Sequence, residues 1–300
     1  MNNKELTWLS SFAQSWRDRV RHGRTPHAVL LTGPAGVGKR AAATWIAAKK
    51  LALAAPDLPE YPLPTLEHAD LRRVSPLEDK DAIGIDQIRA LVAEFGLTSY
   101  EGKGKVAVIE PANAMTTNAA NSLLKTLEEP PGDALLILVA DRMGRLPATV
   151  FSRCQRIDIA LPSEAEALRW LDHLQPGAQW PEALGLAGNA PLAAIEALEH
   201  LDTHTTMRRE FADVASGSVS PLEIAARWTK LDTVFVLDWL ARQVQRAIVN
   251  ESVQQRMDRR NLFCYLDIIN RLRGQPKGSY NVQLTFESLL IDWADGLAQR

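Results

Sequence analysis

Lys39 closes the run Gly33-Pro34-Ala35-Gly36-Val37-Gly38-Lys39-Arg40. Glycines placed this way ahead of a lysine suit a loop whose backbone N–H groups cradle phosphates while the lysine reaches the terminal ones. The template, G-x-x-x-x-G-K-[ST], next requires a hydroxyl that holds Mg²⁺. Arg40 stands at that position, and its bulky cation repels a metal ion rather than ligating it. Two readings of Gly33, Gly36, Gly38, Lys39 and Arg40 stay open: residual ATP or ADP binding, or a tight strand-to-helix turn that keeps its glycines for geometry alone.

The composition sets outer limits. A chain of 300 residues, 46% hydrophobic and 23% charged, suits an ordinary globular protein of two or three domains. A net charge of −2 supplies no global basic field, so any nucleic-acid contact must be a local patch. No window approaches the ~18 to 20 apolar residues that span a bilayer, so no membrane partner is expected. The start, Met1-Asn2-Asn3-Lys4-Glu5-Leu6, lacks the basic-then-apolar layout of a signal peptide. Cys154 and Cys264 are the only cysteines, too few for a four-cysteine zinc site. A cytoplasmic protein is expected.

The first ~160 residues alternate apolar runs with helical patterns, the signature of an α/β domain with a parallel sheet. Strands are expected at His27 to Thr32, Lys105 to Ile109, Ala134 to Ala140 and Gln155 to Ala160. Helices are expected at Arg40 to Leu53, Asp86 to Gly96 and Asn118 to Glu129, the last closed by Pro130-Pro131. Pro56 to Pro64 holds four prolines and reads as a surface loop. After Pro162 the strand signals end. Ser163, with Glu166 three residues on, reads as a capping box opening a helix to Leu174. A second helix covers Pro191 to Leu201, Thr203 to Pro221 mixes helix with a Ser/Gly loop, and long helices with apolar stripes follow from Leu222. The expected domains are an α/β domain at 1–161, a small helical lid at 162–203 and an all-α domain at 204–300.

Further along lies Asn121-Ser122-Leu123-Leu124-Lys125-Thr126-Leu127-Glu128-Glu129-Pro130-Pro131, followed about twenty residues later by Ser152-Arg153-Cys154. This pair of strings, in this order after a phosphate loop, closely resembles the clamp-loader proteins of the AAA+ superfamily, over about residues 24 to 160 in sequence and beyond that in layout. Gamma/tau-type motors and delta-prime-type stators share these strings, and the engine parts tell them apart. At the Walker B position motors end a strand with Asp-Glu; here the strand ends in Glu110-Pro111, and proline has no ionisable group to act as a base. Where motors place Thr or Asn against the γ-phosphate, the resemblance aligns Ala140-Asp141. Where they carry a sensor arginine, it aligns Pro191 of Gly188-Asn189-Ala190-Pro191.

With Arg40, these departures imply a stator-type chain that does not hydrolyse ATP and requires no nucleotide. The resemblance implies that the 204–300 helices act as an oligomerisation collar, that gamma/tau and delta subunits are the partners, and that the ring places a sliding clamp on primed DNA. It also implies that Arg153 enters a neighbour's ATP site as an arginine finger, the alternative being a surface salt bridge. Such a finger is worth ~10³ to 10⁵ in rate. An active motor is the second reading; a small-molecule kinase is disfavoured by the Leu123 to Pro131 string.

Many relatives carry a four-cysteine zinc module after the phosphate-loop helix. Ala54 to Asp70 has no cysteine and a single histidine, His68, so no zinc is expected. Arg17, Arg19, Arg21 and Arg24 read as the solvated face of a helix whose Leu6, Leu9, Phe12 and Trp16 pack inward, with DNA phosphate contact the alternative. The same choice applies to Arg256, Arg259 and Arg260. Cys154 reads as a small buried hydrophobe rather than a reactive thiol.

Overall fold

The computed structural model describes residues 4–78, 80–140, 146–249, 258–275 and 278–296. Asp141 and Arg256 lie outside them. The chain divides into two compact units, 1–199 and 200–300.

The first unit is built on five parallel strands, β1 (Ala28–Thr32), β2 (Leu71–Val74), β3 (Val106–Ile109), β4 (Leu135–Val139) and β5 (Gln155–Asp158), in the order β2-β3-β4-β1-β5. This is the expected α/β class. β1, β3 and β4 are buried along their whole length. A strand's side chains alternate between faces, and they divide accordingly into two cores. Val29, Leu31, Val106, Val108, Leu135 and Ile137 join one. Ala28, Leu30, Ala107, Ile109, Leu136 and Leu138 join the other.

Helices cover both faces. On the first lie α1 (Ser10–Arg21) and α2 (Lys39–Lys50), joined by α6 (Glu164–Leu174), α7 (Trp180–Leu186) and α8 (Pro191–Glu199). Ala41, Ala42, Ala43 and Ala47 of α2 are buried, and small side chains let that helix lie close on the sheet. On the second face lie α3 (Ile85–Phe95), α4 (Thr117–Glu128) and the single turn α5 (Ala148–Phe151). Leu6, Leu9, Phe12 and Trp16 are buried, so α1 turns its apolar side to the core as expected. The segment expected as a lid clusters with this unit; Trp170 of α6 meets Trp8 edge-on at 5.2 Å and donates its indole N–H to the Glu5 carbonyl.

Ser163 caps α6, its hydroxyl accepting from the Glu166 N–H at 3.3 Å. The reciprocal half of the expected box is replaced: the Glu166 carboxylate accepts from the Thr7 hydroxyl at 3.2 Å. β2 and α7 were not expected from the sequence. β2 is a four-residue edge strand with exposed Arg72 and Arg73 at its centre, and α7 is only seven residues long.

The second unit is helical: α9 (Leu201–Ala215), α10 (Pro221–Trp228), α11 (Thr233–Val249), α12 (Arg259–Leu272) and α13 (Val282–Ala294). Phe211 stacks on Trp293 at 4.4 Å and meets Trp239 edge-on at 5.5 Å. One buried carboxylate in this core gathers two partners. The Trp228 indole donates to the buried Glu210 carboxylate at 2.7 Å, and Arg227 pairs with the same carboxylate at 2.8 Å.

His204 is 3% exposed and packs on the Phe235 ring at 5.0 Å. Burial, reinforced by Arg242, His200 and Arg246, lowers its pKa from 6.5 to about 4. Between those values the unfolded chain binds a proton that the folded chain refuses, so stability falls as pH drops through this window. At about pH 5 the loss is on the order of 2 kcal/mol. Urea midpoints of the full chain across this range should fall less steeply for His204→Leu; identical acid sensitivity in both chains refutes the assignment.

Candidate functional site

The chain leaves β1 at Thr32 and enters α2 at Lys39. Gly33, Gly36 and Gly38 all have positive φ, at 137°, 76° and 104°. A Cβ on Gly33 would lie 2.3 Å from the Ile159 carbonyl oxygen, and one on Gly36 would lie 2.5 Å from the Ala193 Cβ. Both positions are therefore fixed by close approach of the chain's own backbone and side chains.

The loop's carbonyls are occupied from within. The Lys39 ammonium, 3% exposed, donates to the Gly33 carbonyl at 2.8 Å and the Pro34 carbonyl at 2.6 Å. The Leu192 N–H, from the first turn of α8, donates to the Gly36 carbonyl at 3.0 Å. The Trp8 indole donates to the Val37 carbonyl at 2.9 Å.

Beside the loop is a cleft of about 370 Å³, lined among others by Lys39, Arg40, Glu110, Val139, Leu192 and Glu196. Glu110 directly follows β3, the position taken by a metal-binding carboxylate in a hydrolysing site. Its carboxylate is ion-paired with the Arg40 guanidinium. In the sequence these two residues are separate departures, and the fold joins them. The cation of Arg40 lies on the acid that would serve Mg²⁺, and Glu196 adds a further carboxylate to the wall. These residues do not fit a Mg²⁺–nucleotide pair. Ala140 is buried at the end of β4, its N–H donating to the Leu31 carbonyl at 3.0 Å. Pro191 begins α8 and is buried.

Arg153 does not line this cleft. It stands between α5 and β5, with its side chain 34% exposed. Its Nε donates to Glu128 Oε1 at 2.5 Å, and Nη2 pairs with the same oxygen. Nη1 donates to the Thr149 carbonyl at 2.9 Å and lies 3.4 Å from the Ser152 hydroxyl. Glu128 is the last residue of α4, so the two signature strings meet in one ion pair. The spacing of the two strings does not reveal this contact; their joint occurrence is the signal the sequence carries. The neighbouring Cys154 is half-buried, and that desolvation pushes its thiol up to about 12.

Comparison with known proteins bears on the whole chain. A family model described as DNA polymerase III, delta subunit, matches residues 8–163. DNA polymerase III subunit delta' of Pseudomonas aeruginosa is 31% identical, with 96% of each chain covered. The chain belongs to the delta-prime family of DNA polymerase III subunits. The delta' subunit of Haemophilus influenzae is 30% identical over 78% of this chain and 74% of its own. The tau subunit of Bacillus subtilis is 34% identical over 44% of this chain and 24% of its own length.

Among solved structures, a gamma subunit-related protein of Thermotoga maritima superposes with a TM-score of 0.54 at 18% identity, covering 94% of this chain and 99% of its own. The fold is the AAA+ P-loop fold. Membership of the delta-prime family makes the chain a clamp-loader subunit. No helix among the described residues is long and apolar enough to cross a membrane.

Burial of Cys154 and exposure of Cys264 make the two thiols unequal. N-ethylmaleimide at neutral pH should label one site per native chain, Cys264, and reach Cys154 only after denaturation. Equal native labelling of both, read by peptide mass, contradicts this geometry.

Proposed function

We propose that this chain is a stator of the clamp loader, unable to hydrolyse ATP itself, and that it supplies Arg153 to the ATP site of a neighbouring gamma/tau-type subunit. The observation that carries the reading is the Arg40–Glu110 ion pair. A cation from the chain itself sits on the carboxylate that a working site reserves for Mg²⁺, and Pro111 beside it offers no base. Arg153 lies outside that cleft with its side chain about a third exposed, as suits a residue acting on another subunit's nucleotide. Stabilising charge on the transferring phosphoryl group is the chemistry such a residue performs.

In this reading the partners are gamma/tau and delta subunits, and the assembled ring places a sliding clamp on primed DNA. Residues 162–203 act as a lid that keeps contact with the loop, and residues 204–300 join the ring. The chain needs neither nucleotide nor zinc for its own part and works in the cytoplasm.

The test is ATP turnover by complexes assembled with gamma/tau and delta. Arg153→Ala should slow the site it serves by ~10³-fold or more, which removes that site's share of turnover. Lys39→Ala, matched for subunit content, should leave turnover nearly unchanged, and the isolated chain should hydrolyse no ATP above the Lys39→Ala background. Lys39-dependent hydrolysis by the isolated chain would instead establish an active motor. Unchanged turnover with Arg153→Ala removes the finger.

A further inference from the structure

We propose that Glu128 is a positioning residue for Arg153, orienting the guanidinium so that its outer edge meets the neighbour's phosphate; this rests on the reading that Arg153 acts in trans. The donor inventory of the guanidinium supports the assignment. Arginine has five N–H donors in a rigid planar fork. Nε–H and one Nη2–H go to Glu128 Oε1, and one Nη1–H goes to the Thr149 carbonyl. Among the described residues one Nη2–H has no partner, and the second Nη1–H makes only a long hydrogen bond, 3.4 Å, to the Ser152 hydroxyl. These least committed donors belong to the two terminal nitrogens, and they are the ones left to meet the oxygens of a phosphoryl group.

The anchors are themselves held. Glu128 ends α4 just before Pro130-Pro131, and Thr149 belongs to α5. Both helices pack into the same core through Leu123, Leu127 and Val150. The plane of the guanidinium is thus referred to the sheet rather than left to a flexible stem. Holding a reacting group in its working orientation removes part of the entropic cost of reaching the transition state.

The experiment measures steady-state ATP turnover of the full complex in a double-mutant cycle, with subunit content matched by size exclusion. Glu128→Ala should lower kcat at the served site by about tenfold and leave KM for ATP unchanged, because gamma/tau binds the nucleotide. Glu128→Gln keeps an acceptor oxygen and should recover at least half of the lost rate; it also carries the test if the alanine variant assembles poorly. In an Arg153→Ala background, Glu128→Ala should have no further effect.

Three results overturn the proposal while leaving the finger intact: a loss from Arg153→Ala with none from Glu128→Ala, a rate increase with Glu128→Ala, or an equal Glu128→Ala loss in the Arg153→Ala background. No recovery with Glu128→Gln also overturns it. Failure of Arg153→Ala itself to lower turnover removes the parent reading, and is distinguishable from all of these.

Discussion

The first unit depends on the tight turn between Thr32 and Lys39. β1 is buried between β4 and β5, so the chain must reverse from strand to helix within a few residues. It does so through three glycines with positive φ. A turn this compact leaves carbonyls that cannot all reach water, and a buried acceptor without a partner costs ~1–3 kcal/mol. Those acceptors are satisfied from three places: Trp8 ahead of α1, Lys39 at the start of α2 and Leu192 at the start of α8. The N-terminal segment and the α6–α8 helices are thereby keyed to one loop. Gly33 and Gly36 are held to glycine by close approach of the chain's own atoms.

The electrostatics of the cleft follow from one substitution and its partner. A hydroxyl beside Glu110 would leave that carboxylate for a divalent metal. Arg40 neutralises it instead with a fixed guanidinium. With Arg40 side chain 68% exposed, the pair contributes little to stability, about 0–1 kcal/mol for surface pairs. Its consequence is for chemistry rather than folding. The carboxylate already has a cation, and a metal would have to displace it while facing a second positive charge one residue from Lys39.

Much of the frame was legible in the sequence because strands buried on both faces read as unbroken apolar runs. β1, β3 and β4 lie within a residue of where those runs placed them. β2 was not legible: at a sheet edge its inner positions face water, and Leu-Arg-Arg-Val has neither alternation nor length to mark it. The cap Ser163 belongs to a local rule that spacing reveals, while the side chain of Glu166 is drawn away by Thr7, a partner 159 residues distant. The same limit governs the site. Gly33, Lys39 and Arg40 announce themselves in one short string, but the pairs Arg40–Glu110 and Arg153–Glu128 join residues that only the folded sheet brings together. Sequence could name all four residues; it could not say that they form two pairs.

Those two pairs have opposite consequences for what each arginine can do. Arg40 is turned into a cleft of its own chain and spends its charge on Glu110. Arg153 spends most of its donors on Glu128, Thr149 and Ser152 and, among the described residues, keeps one Nη2–H without a partner. A ligand that binds only the folded state orders and stabilises the segment that holds it, so a site that depends on nucleotide changes with nucleotide supply. Here the loop is completed by protein donors, and the α4–α5 anchor of Arg153 is completed by apolar packing. On the proposed reading, a subunit that must present an arginine to a cycling neighbour is best served by a frame whose order does not follow that cycle. Donors from the chain itself on the loop's carbonyls serve that end, because they tie the loop to the N-terminal segment and to α8.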